Sequence, residues 1–500
     1  MTFNEAYKAW RNRARAFSAI SLVGSALQVL QEPVAERLDE IKKAPWNLLL
    51  LVKWACQDRM LDRVTHGVSA QEFGALRQAL WDMPKQVDMH IRATSPWRLF
   101  LRQHLAPQLP FQRRASLGFL REAALLAAQD PAHPLRRRFE ERIGVPLFDF
   151  IDMAYTLAAE ILEGAKVINM PWFDLFRRAY SPEVVDRFIA AISLTFDELR
   201  VFCRALPDAD RKVASEYFEF TALSRYPFLR DDRSLYLWHP AVFFRGMEGF
   251  VHSVLSEGRE VFIEPFSKIF ERHVLGEARA LPVPFFGEDE IKRWLPPDTQ
   301  VPDGLLAYGT CNVFIESKAG LFDESVMTVG HSTIFAHKTR ALLTAARQAW
   351  SASELMHNGD EAPKQVLDAP VDYLLIVTNK ELNAGRGPTL AGIYPDGKFR
   401  PPTESAARML PLEHIYVLSV EDFERLMVAT RQGEIDLPTF LAEIVRLDAD
   451  PATMTFFLHQ HLDQRGISHQ TSDLVHQVME ATHARLELIL PNGNGDAEKG

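Results

Sequence analysis

Apolar residues recur at intervals near 3.6 through the first 222 positions, the period of helices with one buried face. The spacing predicts helices over Val34–Lys43, Pro45–Leu61, Ala70–Met83, Pro96–His104, Arg113–Ala128, Leu147–Leu162 and Ser181–Leu206. Breaks fall at Pro33, Pro84, Pro107, Pro110, Pro131, Pro134, Pro171 and Pro207. Ser181-Pro182 and Ser95-Pro96 each set a capping serine before a proline suited to the first helical position. No fixed-period repeat accompanies the pattern.

The pattern changes near Tyr226. Two short apolar runs flank the charged turn Arg230–Arg233 and predict a hairpin. A helix from Pro240 to about Leu255 follows, with Gly258 as its stop. Phe262, Phe266, Ile269, Phe270 and Val274 then mark one stripe of a helix in which Pro265 is read as the first residue. Pro302-Asp303-Gly304 is a turn signal ahead of the apolar run Leu305–Tyr308. Asn312–Lys318 alternates with period 2, so Phe314, Glu316 and Lys318 share a face. A hairpin of these two strands brings Asp303, Glu316 and Lys318 to one edge, where two carboxylates and an ammonium suit a hard divalent cation and an activated water. Ile334–Ser353 reads as a helix, Asp372–Thr378 and His414–Ser419 as buried strands, and Val420–Thr430 as a helix.

Pro302-Asp303 upstream of Glu316-Ser317-Lys318, at the end of an apolar strand, resembles the PD-(D/E)xK nuclease superfamily. Glu-x-Lys alone is a weak signal, since Glu40-Ile41-Lys42 and Glu290-Ile291-Lys292 repeat it in helix-like contexts without Pro-Asp. The order of helix, motif hairpin, helix, strand, strand and helix gives the resemblance its weight. It implies a restriction-endonuclease-like α/β core, a central mixed sheet flanked by helices, with a large all-α region before it and helices after it. It also implies that Asp303 and Glu316 hold Mg²⁺, with Mn²⁺ as a substitute, while Lys318 orients or deprotonates the attacking water. Glu271 matches the glutamate that many family members carry in the leading helix. A large helical companion on such a core resembles prokaryotic restriction or phage-defence effectors.

Composition narrows the picture further. Five hundred residues exceed one ordinary core. The expected division is a helical domain over 1–225, a nuclease-like domain over 226–430, helices over 431–490 and a disordered tail over 491–500. A net charge of −10 excludes a chain coated in positive charge but not a local basic groove. Arg11, Arg13, Arg15, Arg98, Arg102, Arg113, Arg114, Arg121 and Arg136–Arg138 lie among aromatics such as Trp97, Phe100 and Phe111. They read as solvated faces balanced by neighbours such as Glu140, with a nucleic-acid face as the alternative. The Gly/Pro-rich stretch Asn383–Pro402, with Lys380, Arg386, Lys398 and Arg400, reads as a substrate-contacting loop.

Cys56, Cys203 and Cys311 are too scattered for a disulfide framework or a zinc ribbon, and no phosphate-binding loop motif occurs. His459, His461, His469, His476 and His483 read as dispersed helix histidines. Ala16–Leu30 reads as an ordinary helix, and Lys53 ends the run Leu48–Val52 far short of a membrane span. The expectation is a cytoplasmic, metal-dependent endonuclease whose partner is nucleic acid, DNA ahead of RNA. It touches no membrane, and a homo-oligomer or protein trigger is left open. The alternative is an inert nuclease-like binding or regulatory protein.

Overall fold

The computed structural model describes residues 2–33, 39, 42–86, 97–112, 117–210, 212–256, 259–320 and 325–489. Most of the expected helix 34–43, Ser95-Pro96, Arg113, Arg114, Gly258 and the tail 491–500 lie outside the described residues, as do the side chains of Trp97 and Phe100. The chain divides into two compact units. One comprises residues 1–92, 104–257 and 474–500, the other 93–103 and 258–473.

The first unit is helical but not all-α, which corrects the expectation for this region. Its helices surround a four-stranded sheet of β1 (Val167–Asn169), β2 (Ser193–Leu194), β3 (Phe228–Arg230) and β4 (Ser234–Leu237), ordered β1-β4-β3-β2. β2 pairs parallel to β3 and the other pairs are antiparallel. The expected hairpin is β3–β4, and it completes this sheet, so the chain stays in the first unit past residue 225. Strands of two to four residues are too short to leave a period-2 signature. Helix Pro45–Gln57 is buried on nearly every side. Its Lys53 is ion-paired to Glu216 at 3.0 Å and also to Asp208, which is how a charge ends the apolar run inside a core. Helix Asp473–Ile489 returns to this unit, where Arg485 pairs with the buried Asp152 through Nε at 2.9 Å.

The second unit is built on β5 (Phe285–Gly287), β6 (Gly304–Ala307), β7 (Asn312–Lys318), β8 (Asp372–Thr378) and β9 (Ile415–Ser419), in that order across the sheet. β5, β6 and β7 form an antiparallel meander; β7, β8 and β9 are parallel. Register sets Phe314 beside Leu374 and Leu305, and Ile376 beside Val417. That face packs against Leu342, Ala345, Ala346, Ala349 and Trp350 of helix Arg340–Asn358. The expected helix Ile334–Ser353 is two, Ser332–Lys338 and Arg340–Asn358, parted at Thr339. The hydroxyl of Thr339 bonds to the Phe335 carbonyl and to the Tyr394 hydroxyl.

The leading helix spans Arg259–Arg279, so Pro265 lies inside it and does not begin it. The missing N–H leaves the carbonyl of Val261, a residue on the exposed side. Phe262 and Phe266, fully buried and stacked at 5.1 Å, hold the helix on both sides of the proline.

Asn383–Pro402 is not an exposed loop either. It folds as helix Gly387–Ile393 and a short turn, burying Leu390, Ile393, Tyr394 and Phe399 in the same core as the sheet. Its Gly and Pro content masks these apolar positions. Arg386 is buried and donates to the Asp448 carbonyl at 2.8 Å, so it does not face a substrate. Lys398 and Arg400 are exposed.

Candidate functional site

Asp303 is the last residue before β6, and Glu316 and Lys318 close β7. The antiparallel register places Gly304 opposite Ile315, which brings Asp303 to the level of Glu316. Two backbone contacts lock the pair. The Asp303 N–H donates to Glu316 Oε2 at 3.2 Å, and the Ser317 N–H donates to Asp303 Oδ2 at 2.7 Å. The Ser317 hydroxyl adds a second bond to the same oxygen at 2.8 Å. Lys318 Nζ sits directly on Glu316 Oε1. Three of the four expected site residues therefore meet at the edge between β6 and β7.

Close packing explains why glycine follows Asp303. A Cβ at Gly304 would lie 2.8 Å from the Phe285 ring and 3.1 Å from Leu275 of the leading helix. That helix thus passes against the turn, and Glu271 stands on it one helical turn before Leu275.

Electrostatics tie the group together. Glu316 is 1% exposed. Its pKa is pushed up to about 7, by burial first and the Asp303 charge second, while Lys318 pulls the other way. Glu271 is also raised, by burial and then by Asp303 and Glu288, with Lys318 opposing. Glu271 therefore shares the field of Asp303 and Lys318.

It does not complete a tight ligand shell. Among the described residues, the set of three potential ligand side chains whose atoms lie within 4.8 Å of one another is Glu381, Asp422 and His459, and not Glu271, Asp303 and Glu316. The donor chemistry at Asp303 and Glu316 nevertheless fits a hard cation. Two carboxylates lie side by side with one ammonium, and Glu316 Oε2, which accepts the Asp303 N–H, keeps a further lone pair for a metal.

The sequence reading missed the role of Ser317 and the Glu381–Asp422–His459 set, and it took Gly304 only as part of a turn. Ser317 stood inside the motif, and the only signal for it was its adjacency to Glu316. His459 was grouped with dispersed helix histidines. That description fits His476 and His483, exposed on helix Asp473–Ile489 near Glu480 and Glu487, while His469 is exposed between helices, near Glu421. The description does not fit His459, whose Nδ1 is 3.6 Å from Asp422 Oδ2, or the buried His461, whose Nε2 is 3.0 Å from Asp448. The readable signal was positional: Glu381 and Asp422 each follow closely on the end of a buried strand.

Several described arginines of the first-half basic clusters are engaged within the protein. Arg15 pairs with Asp58 at 2.7 Å and Arg136 with Glu140 at 3.4 Å. Arg102 is buried and donates to the carbonyls of Leu382 and Val326. Among the described residues no helix is long and apolar enough to cross a membrane. Comparison with family models, curated proteins and solved structures finds no match for the chain.

Proposed function

We propose that the second unit is a metal-dependent phosphodiesterase acting on nucleic acid, with the PD-(D/E)xK type of site that Asp303, Glu316 and Lys318 spell out. The observation that carries this reading is the convergence of those three side chains, from the start of β6 and the end of β7, around the buried Glu316. The topology adds support: a leading helix, an antiparallel meander whose second and third strands bear the motif, then helices and parallel strands.

Asp303 and Glu316 would hold Mg²⁺ or Mn²⁺, which when bound polarises the scissile phosphate and lowers the pKa of its water. Ser317 keeps the Asp303 carboxylate aimed, so it is a positioning residue. Lys318, anchored on Glu316, presents an ammonium that can orient the attacking water and offset charge gathering on the phosphate. Glu271 adds negative potential beside Asp303, favouring a cation there.

A second reading, an inert nuclease-like binding protein, is favoured by one observation: Arg386, expected in a substrate-contacting loop, is consumed inside the fold, as is Arg102 of the basic clusters. One assay separates the two. Purified full-length protein is incubated with labelled single- and double-stranded DNA and RNA, with Mg²⁺ or with EDTA. Mg²⁺-dependent cleavage that Asp303→Ala abolishes supports the enzyme, and binding without cleavage supports the inert protein.

A further inference from the structure

β7, β8 and β9 run parallel and in register, so Lys318, Thr378 and Ser419 finish at one edge of the sheet. Such an edge, where chains leave the carboxyl ends of parallel strands, is where open α/β sheets gather ligand groups. Three segments converge beside β8 and β9. The chain leaving β8 supplies Glu381, the first turn of helix Val420–Arg431 supplies Asp422, and helix Leu458–Gln464 supplies His459. One ligand atom from each lies within 4.8 Å of the other two.

Each of these side chains is oriented by a neighbour. The Ser419 hydroxyl donates to Asp422 Oδ2 at 2.9 Å. The N–H of Asn383 donates to Glu381 Oε1. The His459 ring is stacked on Phe457 at 5.4 Å and 12°. The buried Arg102 guanidinium lies close enough to Glu381 to interact with its charge, which favours the carboxylate. Asn383 provides an independent observation. It is 6% exposed, it is held at φ 49°, and its Oδ1 is buried without a hydrogen-bond partner. This orphaned hard oxygen belongs to the residue whose N–H holds Glu381, and it is a group that a cation can satisfy where no donor does.

We infer that Glu381, Asp422 and His459 form a second divalent-cation site, one that takes Mn²⁺ or Zn²⁺ in preference to Mg²⁺. An ion with bonds of ~2.1 Å holds its ligand atoms about 3 to 4 Å apart. The 3.6 Å between His459 and Asp422 already fits, and small rotamer changes bring in Glu381. The imidazole sets the preference, because Mg²⁺ favours an all-oxygen shell and retains its waters, whereas Mn²⁺ and Zn²⁺ accept nitrogen. With strands about 4.8 Å apart, β9 lies roughly 10 Å from β7, so this ion is distinct from one at Asp303 and Glu316. The site stands whether or not Asp303 and Glu316 cut nucleic acid.

The test uses full-length protein stripped with EDTA and titrated with Mn²⁺, binding being followed by the electron paramagnetic resonance of the free ion. Asp303→Ala/Glu316→Ala keeps this site, while His459→Ala and Asp422→Asn weaken it by about 100-fold or more. Pulsed spectra of the bound Mn²⁺ show coupling to one histidine nitrogen that His459→Ala removes. His459 is partly exposed, so that variant keeps its fold, which a thermal melt checks. Unchanged affinity in both single variants, or no ion bound by the Asp303→Ala/Glu316→Ala protein, overturns the inference. If wild type binds Mn²⁺ here but cleaves no nucleic acid, only the nuclease reading falls.

Discussion

Glu316 concentrates the energetics of the candidate site in one side chain. Its carboxyl titrates near 7 in the folded protein against a usual 4.5, because burial and Asp303 outweigh Lys318. A raised carboxyl pKa means that the folded state favours the protonated form. The penalty is absent below pH 4.5, grows as the pH rises, and is complete above 7, where it reaches on the order of 3 kcal/mol. Glu316→Gln should therefore stabilise the metal-free protein by about 1 to 3 kcal/mol at pH 8 and leave it nearly unchanged at pH 4.5. Denaturant unfolding in EDTA at the two pH values checks this, and a loss of stability at pH 8 would mean that the Lys318 pair outweighs burial. Mg²⁺ binding at this site should likewise strengthen through pH 7, as the proton leaves Glu316. Ser317→Ala removes one of two bonds to Asp303 Oδ2 and should lower Mg²⁺ affinity about tenfold, measured by calorimetry. The motif residues were legible from turn chemistry and period 2. The bonds from Ser317 were not, because a hydroxyl beside a carboxylate in sequence does not announce a contact across the hairpin.

At the scale of elements, the turn before β6 is fixed by what surrounds it. Gly304→Ala sets a methyl group against the Phe285 ring and Leu275, an overpacking that should cost about 1 to 3 kcal/mol and displace Asp303. Thermal unfolding with and without Mg²⁺ should show both a lower melting temperature and a smaller Mg²⁺-induced rise than in wild type. β7 was legible in advance from its period-2 alternation, and β8 and β9 from their continuous apolar runs. β3 and β4 were legible as a hairpin around a charged turn, but β1, β2 and β5 were not, since two or three residues carry no periodic signal. Pro265 misled because a local rule for helix starts was overridden by two buried phenylalanines. Asn383–Pro402 misled because Leu390, Ile393, Tyr394 and Phe399 are diluted among Gly and Pro. The Glu381–Asp422–His459 set could not be seen as a set, since parallel strands join positions about forty residues apart.

On the scale of the whole molecule, the chain enters each unit more than once. Residues 93–103 belong to the second unit although residues on either side belong to the first. Leu99 is fully buried in the sheet's core, and Arg102 supplies donors to Leu382 and Val326. Leu99→Ala should cost about 2 to 5 kcal/mol. Arg102→Ala should be at least as damaging, because it orphans buried carbonyls. A sequence read in order suggests contiguous domains, and this excursion has no compositional mark. The central claim concerns the site itself, and one paired measurement on the same samples tests it most directly: Mg²⁺ binding by calorimetry beside cleavage of labelled DNA and RNA, for wild type, Asp303→Ala and Lys318→Ala. The account predicts that Asp303→Ala loses binding and cleavage together. Lys318→Ala should keep or slightly tighten binding yet lose cleavage, and Lys318→Arg should not rescue it, since a planar guanidinium cannot serve as a base at neutral pH. Cleavage at the wild-type rate by both Lys318→Ala and Asp303→Ala would contradict it.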